Sequence, residues 1–205
     1  MYTLKKGDVL SINVKSTTPA EFNFLSTVAA GAGDPVLSGY TIDAEGNILL
    51  PVIGKVNLGG LTVSEAREKI TENLLPHLSN PTVTVRLLTF KYTILGEVSG
   101  QGQYTTYQDN INIMEAIATA GGFSPYSNRG RIRLVRYENG QAKLYTLNLL
   151  ADNTLAASNF FLQPNDMIVV DPLPAKFVRE NIVANVGLTL GLVSTMFFLI
   201  DRLTR

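Results

Sequence analysis

Between Tyr40 and Thr62 the chain reads YTIDAEGNILLPVIGKVNLGGLT, with glycine breaking the run at Gly46, Gly54, Gly59 and Gly60. Apolar and polar residues alternate between the breaks. A period of two places successive side chains on opposite faces, so the stretch reads as half-buried strands and not as a helix. The expectation is a strand, a tight turn at Glu45-Gly46-Asn47, a second strand ending at Pro51, a turn at Gly54-Lys55 and a third strand. Glycine suits such turns because it reaches positive φ without steric cost. The predicted unit is a small three-stranded β-meander.

Capping signals place the helices. Thr62-Val63-Ser64-Glu65 is a capping box opening a helix with Val63, Ala66, Ile70 and Leu74 on one face, ending near Pro76. Asn112 caps a second helix with Glu115 at its third position; Ile113, Ala116, Ile117 and Ala120 face inward and Gly121-Gly122 stops it. Thr18-Pro19-Ala20-Glu21 predicts a short helix over Phe22 to Thr27. Strands are expected from the Gly7-Asp8 turn to Val14, and over Thr82–Leu88, Phe90–Val98, Gln103–Thr106, Arg131–Arg136 and Gln141–Asn148. Leu162-Gln163-Pro164-Asn165-Asp166-Met167-Ile168 echoes Leu4-Lys5-Lys6-Gly7-Asp8-Val9-Leu10: each is a tight turn that sets an Asp before a buried strand.

The order of residues in the first stretch resembles the polysaccharide biosynthesis/export family, the Wza-type outer-membrane proteins. The resemblance is carried by Tyr40, Asp43, Gly46, Ile48, Pro51, Gly54, Gly60 and Thr62, with Gly7 and Asp8 upstream. Downstream, Gly96, Val98, Gly102, Tyr104, Met114, Glu115, Ala116, Ile117, Ala120, Gly121 and Gly122 resemble the soluble-ligand-binding β-grasp (SLBB) module. The two likenesses together imply an α+β chain in three parts: a polysaccharide export domain over residues 1–88, one β-grasp domain over 89–172 and a C-terminal transmembrane helix over 173–205. Family members usually carry a lipidated cysteine; this sequence has no cysteine to which it could be transferred. The opening stretch MYTLKKGDVL has no signal-peptide core.

Composition narrows the partners. The 17 basic and 17 acidic residues cancel, so no basic footprint argues for nucleic acid. Without cysteine there is no disulfide, thiolate metal site or cysteine nucleophile. No cofactor is implied; an SLBB domain in a redox complex is disfavoured by the meander signature and by the lack of cluster ligands.

From Ile182 to Ile200 the chain has no charged residue. As a helix this run would be about 28 Å long at about 1.5 Å per residue, close to the roughly 30 Å of a hydrocarbon core. A membrane span is expected there. At 100° per residue Asn181, Asn185, Thr189 and Thr195 fall within one sector, a candidate pore-lining stripe, with Gly187, Gly191 and Ser194 beside it.

Candidate chemistry is sparse. His77 is the one histidine and sits next to Pro76 in a helix-ending turn, with no carboxylate motif nearby. There is no nucleophile elbow, phosphate loop or metal-ligand spacing. Arg129, Arg131 and Arg133 share one strand face, where they could meet an anionic glycan or a neighbouring subunit, and Arg136 extends the basic cluster. Asp8 and Asp166 are expected to stabilise their turns. The family resemblance implies a non-enzymatic export channel: a homo-oligomeric ring at the outer membrane of a Gram-negative bacterium, largely periplasmic, passing capsular or exopolysaccharide and working with an inner-membrane co-polymerase and tyrosine kinase. The alternative is a membrane-anchored periplasmic module that binds glycan without conducting it.

Overall fold

Alternating apolar residues make the strands of this chain, and two capping boxes start its helices. The computed structural model describes residues 2–16, 35–138, 140–151 and 158–177, and beyond them positions 179, 191, 194–196 and 202. In chain order the strands are β1 (Val9–Lys15), β2 (Tyr40–Thr41), β3 (Asn47–Leu50), β4 (Gly54–Asn57), β5 (Thr82–Leu87), β6 (Lys91–Gly96), β7 (Gly102–Thr105), β8 (Ser127–Glu138), β9 (Gln141–Leu147) and β10 (Met167–Pro172). Among the described residues the named helices are α1 (Val63–Leu74) and α2 (Ile113–Thr119), with short 3-10 turns at Pro35–Ser38 and Ser158–Phe160; residues 174–177 and the described positions beyond them are also helical. The helix expected over Phe22 to Thr27 lies outside the described residues.

β1 lies between β2 and β5, antiparallel to both, and buries Leu10, Ile12 and Val14. This breaks the expected meander. β2 belongs to β1, held by Ile42 N–H to the Asp8 carbonyl at 2.8 Å and Gly7 N–H to the Ile42 carbonyl at 3.0 Å. β3 and β4 pair only with each other. Alternation marks strands but does not name their partners, and β1 is the longer template for a two-residue strand. The hairpin also reverses earlier than expected, at Pro51–Ile53, where Ile53 N–H donates to the Pro51 carbonyl at 2.9 Å across Val52, whose φ is 72°. Gly54, expected in the turn, already opens β4.

α1 packs on β5 and buries Ala66, Ile70 and Leu74, three of the four residues of its predicted face; Val63 is half-buried. The second sheet runs β7-β6-β10-β8-β9. β10 occupies its centre, parallel to β6 and antiparallel to β8. The crossing of β6 over β10 requires glycine at position 96: φ is 91°, and a Cβ there would stand 2.1 Å from the Val170 carbonyl oxygen. α2 buries Ile113, Ala116 and Ile117. Buried residues of both sheets and both helices, among them Leu10, Ile70, Ile94, Ile117, Leu134 and Ile168, form one continuous apolar cluster.

The expected C-terminal transmembrane helix is corrected. Among the described residues no helix is long and apolar enough to cross a membrane. Freedom from charge is a weaker criterion than a continuous apolar helix. The run from Ile182 to Ile200 carries the polar residues Asn185, Thr189, Ser194 and Thr195 among its apolar ones; of it, positions 191 and 194–196 are described, and these are helical. Of the stripe, Asn181, Asn185 and Thr189 lie outside the described residues, while the Thr195 hydroxyl donates to the Gly191 carbonyl at 3.0 Å.

Candidate functional site

Most of the sequence-predicted motif residues shape backbone. The Asp43 carboxylate accepts the N–H groups of Glu45 (3.0 Å) and Asn47 (2.7 Å), an Asx turn. The Asn47 N–H holds its carboxyl below the usual carboxylate range. Gly46, with φ at 84°, lets its carbonyl accept both Leu58 N–H (2.8 Å) and Gly59 N–H (2.9 Å). A Cβ on Gly46 would meet the Gly59 Cα at 3.1 Å, so the two backbones touch. Tyr40 is half-buried in β2, Pro51 caps the β3–β4 hairpin, and Gly60 N–H donates to the Leu4 carbonyl at 2.9 Å. The Thr62–Glu65 and Asn112–Glu115 capping boxes form as expected. Thr62 N–H holds the Glu65 carboxyl below its ordinary value. Gly121 and Gly122 close α2 through N–H bonds to Ala118 (3.0 Å) and Ile117 (2.9 Å), the Schellman pattern. Gly102 opens β7.

The faint repeat around Asp8 and Asp166 is far closer in three dimensions. In both turns the aspartate N–H donates to the carbonyl three residues back, Lys5 or Gln163, at 3.1 Å. In both, the carboxylate accepts that same residue's N–H, at 2.8 Å from Lys5 and 2.7 Å from Gln163. Each preceding leucine donates its N–H to the residue ahead of a helix cap: Leu4 to Leu61 at 2.8 Å, Leu162 to Ile111 at 2.9 Å. The outer partners differ. Asp8 takes the Tyr2 hydroxyl at 2.8 Å; burial pushes the Tyr2 phenol well above its ordinary value, aided by the carboxylate. Asp166 takes Arg136 two-fold, at 2.9 Å from Nε and 2.7 Å from the terminal nitrogen, and that nitrogen also donates to the Phe161 carbonyl at 2.8 Å. Burial pushes the Asp166 carboxyl up, against the pull of Arg136.

Arg136 thus leaves the basic cluster in which the sequence placed it. Strand alternation sends it to the inner face with Ile132 and Leu134, and Arg129, Arg131 and Arg133 to the outer one. There Arg131 (3.3 Å) and Arg133 (2.5 Å) converge on Asp171 of the neighbouring β10, and Arg129 lies over the Phe123 ring at 5.1 Å. Where the chain leaves β10, Lys176 pairs with Glu97 at 2.5 Å and Arg179 meets the Tyr126 hydroxyl. Lys176 and the Ser124 hydroxyl hold the Glu97 carboxyl low.

His77 is exposed, and its N–H donates to the Leu74 carbonyl at 2.9 Å. Among the described residues no group of three metal-ligating side chains forms.

One region was not singled out by sequence reasoning. The loop 106–110, Thr-Tyr-Gln-Asp-Asn, joins β7 to the cap of α2, and three open cavities meet along it. The first, about 240 Å³, is lined by Tyr2, Thr62, Ser64, Asp109 and Asn110. The second, about 290 Å³, takes Arg67, Thr84, Arg86, Tyr107, Gln108 and Asp109. The third, about 330 Å³, takes Tyr92, Thr105, Gln108, Glu115 and Thr119. Asp109 is shared by the first two and Gln108 by the last two. The available signal was a polar run carrying one tyrosine immediately before a capping box.

Comparison with known proteins bears on both halves of the chain. Residues 1–88 match the family model described as polysaccharide biosynthesis/export protein. Residues 90–170 match that of the SLBB domain. Two curated relatives carry the name EPS I polysaccharide export outer membrane protein EpsA. That of Ralstonia nicotianae (strain ATCC BAA-1114 / GMI1000) is 29% identical over 181 residues, covering 83% of this chain and 47% of the relative. That of Ralstonia solanacearum is 28% identical over 182 residues, covering 83% and 48%. The chain therefore spans about half the length of the curated relatives it matches.

Proposed function

We infer a role from a family premise: the chain belongs to the polysaccharide biosynthesis/export family, its export domain followed by an SLBB domain. We propose that it is a non-enzymatic subunit of a polysaccharide export apparatus at the outer membrane of a Gram-negative bacterium. The observation that carries this reading is the pairing of the two matches, 1–88 and 90–170, in the order in which both curated export relatives align along the chain. The proposed cargo is capsular or exopolysaccharide, delivered by an inner-membrane co-polymerase and tyrosine kinase. Among the described residues the core is filled by apolar side chains. The proposed working form is therefore a closed homo-oligomeric ring, most of it periplasmic, because closed rotational symmetry surrounds a central space.

Two measurements test the proposal. Deleting the gene is expected to abolish surface polysaccharide, and complementation to restore it; unchanged surface polysaccharide in the deletion strain would remove the export role. Native mass measurement of the full-length protein is expected to give one discrete higher oligomer. A monomer at every concentration would sink the ring and favour the non-conducting glycan-binding module.

A further inference from the structure

We propose that the trough along the loop 106–110 holds a short stretch of anionic glycan, with Arg67 and Arg86 receiving the carboxylate of one uronic-acid residue. The proposal rests on the export reading above and names a subsite and a sugar class within it. Three cavities follow one another along the loop, the first and second sharing Asp109 and the second and third sharing Gln108, a spacing that suits successive units of a chain. Their lining suits sugars. The hydroxyls of Thr84 and Thr105 and the amides of Gln108 and Asn110 both donate and accept, whereas the Thr62 hydroxyl is held in its capping box, the Thr119 hydroxyl donates to the Glu115 carbonyl and the Ser64 hydroxyl accepts from Arg67. The Tyr107 ring, 47% exposed, offers an apolar platform beside them.

The middle cavity alone is net positive, with two arginines against Asp109, while Glu115 lines the third, so an acidic sugar is favoured at the middle. Arg67 and Arg86 line the middle cavity from α1 and β5. Arg67 donates to the Ser64 hydroxyl at 3.1 Å, and neither arginine has a carboxylate partner among the described residues. The arginines on the outer face of β8 differ: Arg131 and Arg133 already share Asp171. A guanidinium presents a planar fork that matches a carboxylate two-fold. Asp109, in the same cavity, would repel a bare anion, but it accepts from hydroxyls. A ring bearing one carboxylate and free hydroxyls uses both signs of charge. β5 has β1 on one side and no second strand on the other among the described residues, so strand-edge backbone groups also face this cavity.

The test is calorimetric titration of the purified full chain with α-1,4-linked trigalacturonate and, as a neutral trimer, maltotriose, run beside the deletion strain. Trigalacturonate is expected to bind at least tenfold more tightly. Arg67→Ala with Arg86→Ala should erase the difference, and Arg86→Glu should reverse it; both positions are exposed, so the melting temperature should hold. Tyr107→Ala should weaken both sugars alike. Equal binding of the two trimers, no binding of either, or a preference that survives the double arginine substitution overturns the proposal. Loss of export in the deletion strain together with any of those results leaves the export role standing and removes only the subsite. Retained export together with arginine-dependent binding keeps the subsite and removes the export role.

Discussion

The turns Lys5–Asp8 and Gln163–Asp166 use the same backbone to opposite ends of the polarity scale. Both place a residue of positive φ third, Gly7 at 86° and Asn165 at 68°. Both close with an aspartate that caps its own turn and launches a strand. Yet Asp8 is finished by a tyrosine hydroxyl, and Asp166, 1% exposed, by a buried arginine. The difference teaches that local sequence specifies the turn and its self-capping carboxylate, whereas the fourth partner comes from wherever the sheet delivers a side chain. Tyr2 arrives from the same strand entry. Arg136 arrives from β8, far along the chain.

Removing that distant partner should separate the two turns most sharply. Arg136→Ala is expected to cost about 3–5 kcal/mol at pH 7, because a buried carboxylate loses its counter-charge. The sign with pH follows. Burial already holds the folded Asp166 carboxyl above its ordinary value with Arg136 in place, and losing Arg136 raises it further, so folding of the variant favours the protonated carboxyl more strongly and the loss shrinks as pH falls. Denaturant unfolding of the full chain at pH 7 and pH 4 reads this directly; an equal loss at both would mean that Asp166 is not the group left stranded. Tyr2→Phe, the matching change at the other turn, should cost only about 1 kcal/mol, the worth of one hydrogen bond that water can replace. A loss as large as that of Arg136→Ala would erase the distinction between the turns. Exchanging the third residues, Gly7→Asn or Asn165→Gly, should shift stability by less than about 1 kcal/mol, since both residue types occupy left-handed backbone. A larger loss at either position would show that the two turns are not equivalent, although a Cβ at position 7 meets no atom within 4 Å.

The same division runs through what could be read from the sequence. Signals that act within a few residues were legible: both capping boxes, the Schellman close of α2, the Asp43 turn and the inward face of α1. Signals that depend on a distant partner were not. Alternation identified β2, β3 and β4 but not that β2 joins β1. Strand spacing put Arg129, Arg131 and Arg133 on one face and left Arg136 in the local cluster without a partner; its place opposite Asp166 comes from β10, a distant strand. The uncharged run after Ile182 met a length criterion, whereas among the described residues no helix is long and apolar enough for a span. The loop 106–110 carries no motif; its interest arises because α1, β5 and α2 surround it, and that juxtaposition is tertiary.

β10 lies in the middle of its sheet, and this sets an order of events during synthesis. The β6–β7 and β8–β9 hairpins close over short spans and can form as they leave the ribosome. Neither can find the other until Met167–Pro172 emerges and threads between them, pairing Met167 with Thr93 on one side and Val135 on the other. A nascent chain halted before that point exposes two open strand edges and the inner faces carrying Ile94, Ile132 and Leu134, surfaces that favour mispairing between chains. Within the second sheet the longest-range pairing thereby rests on one late strand, which makes its arrival the commitment step for that sheet.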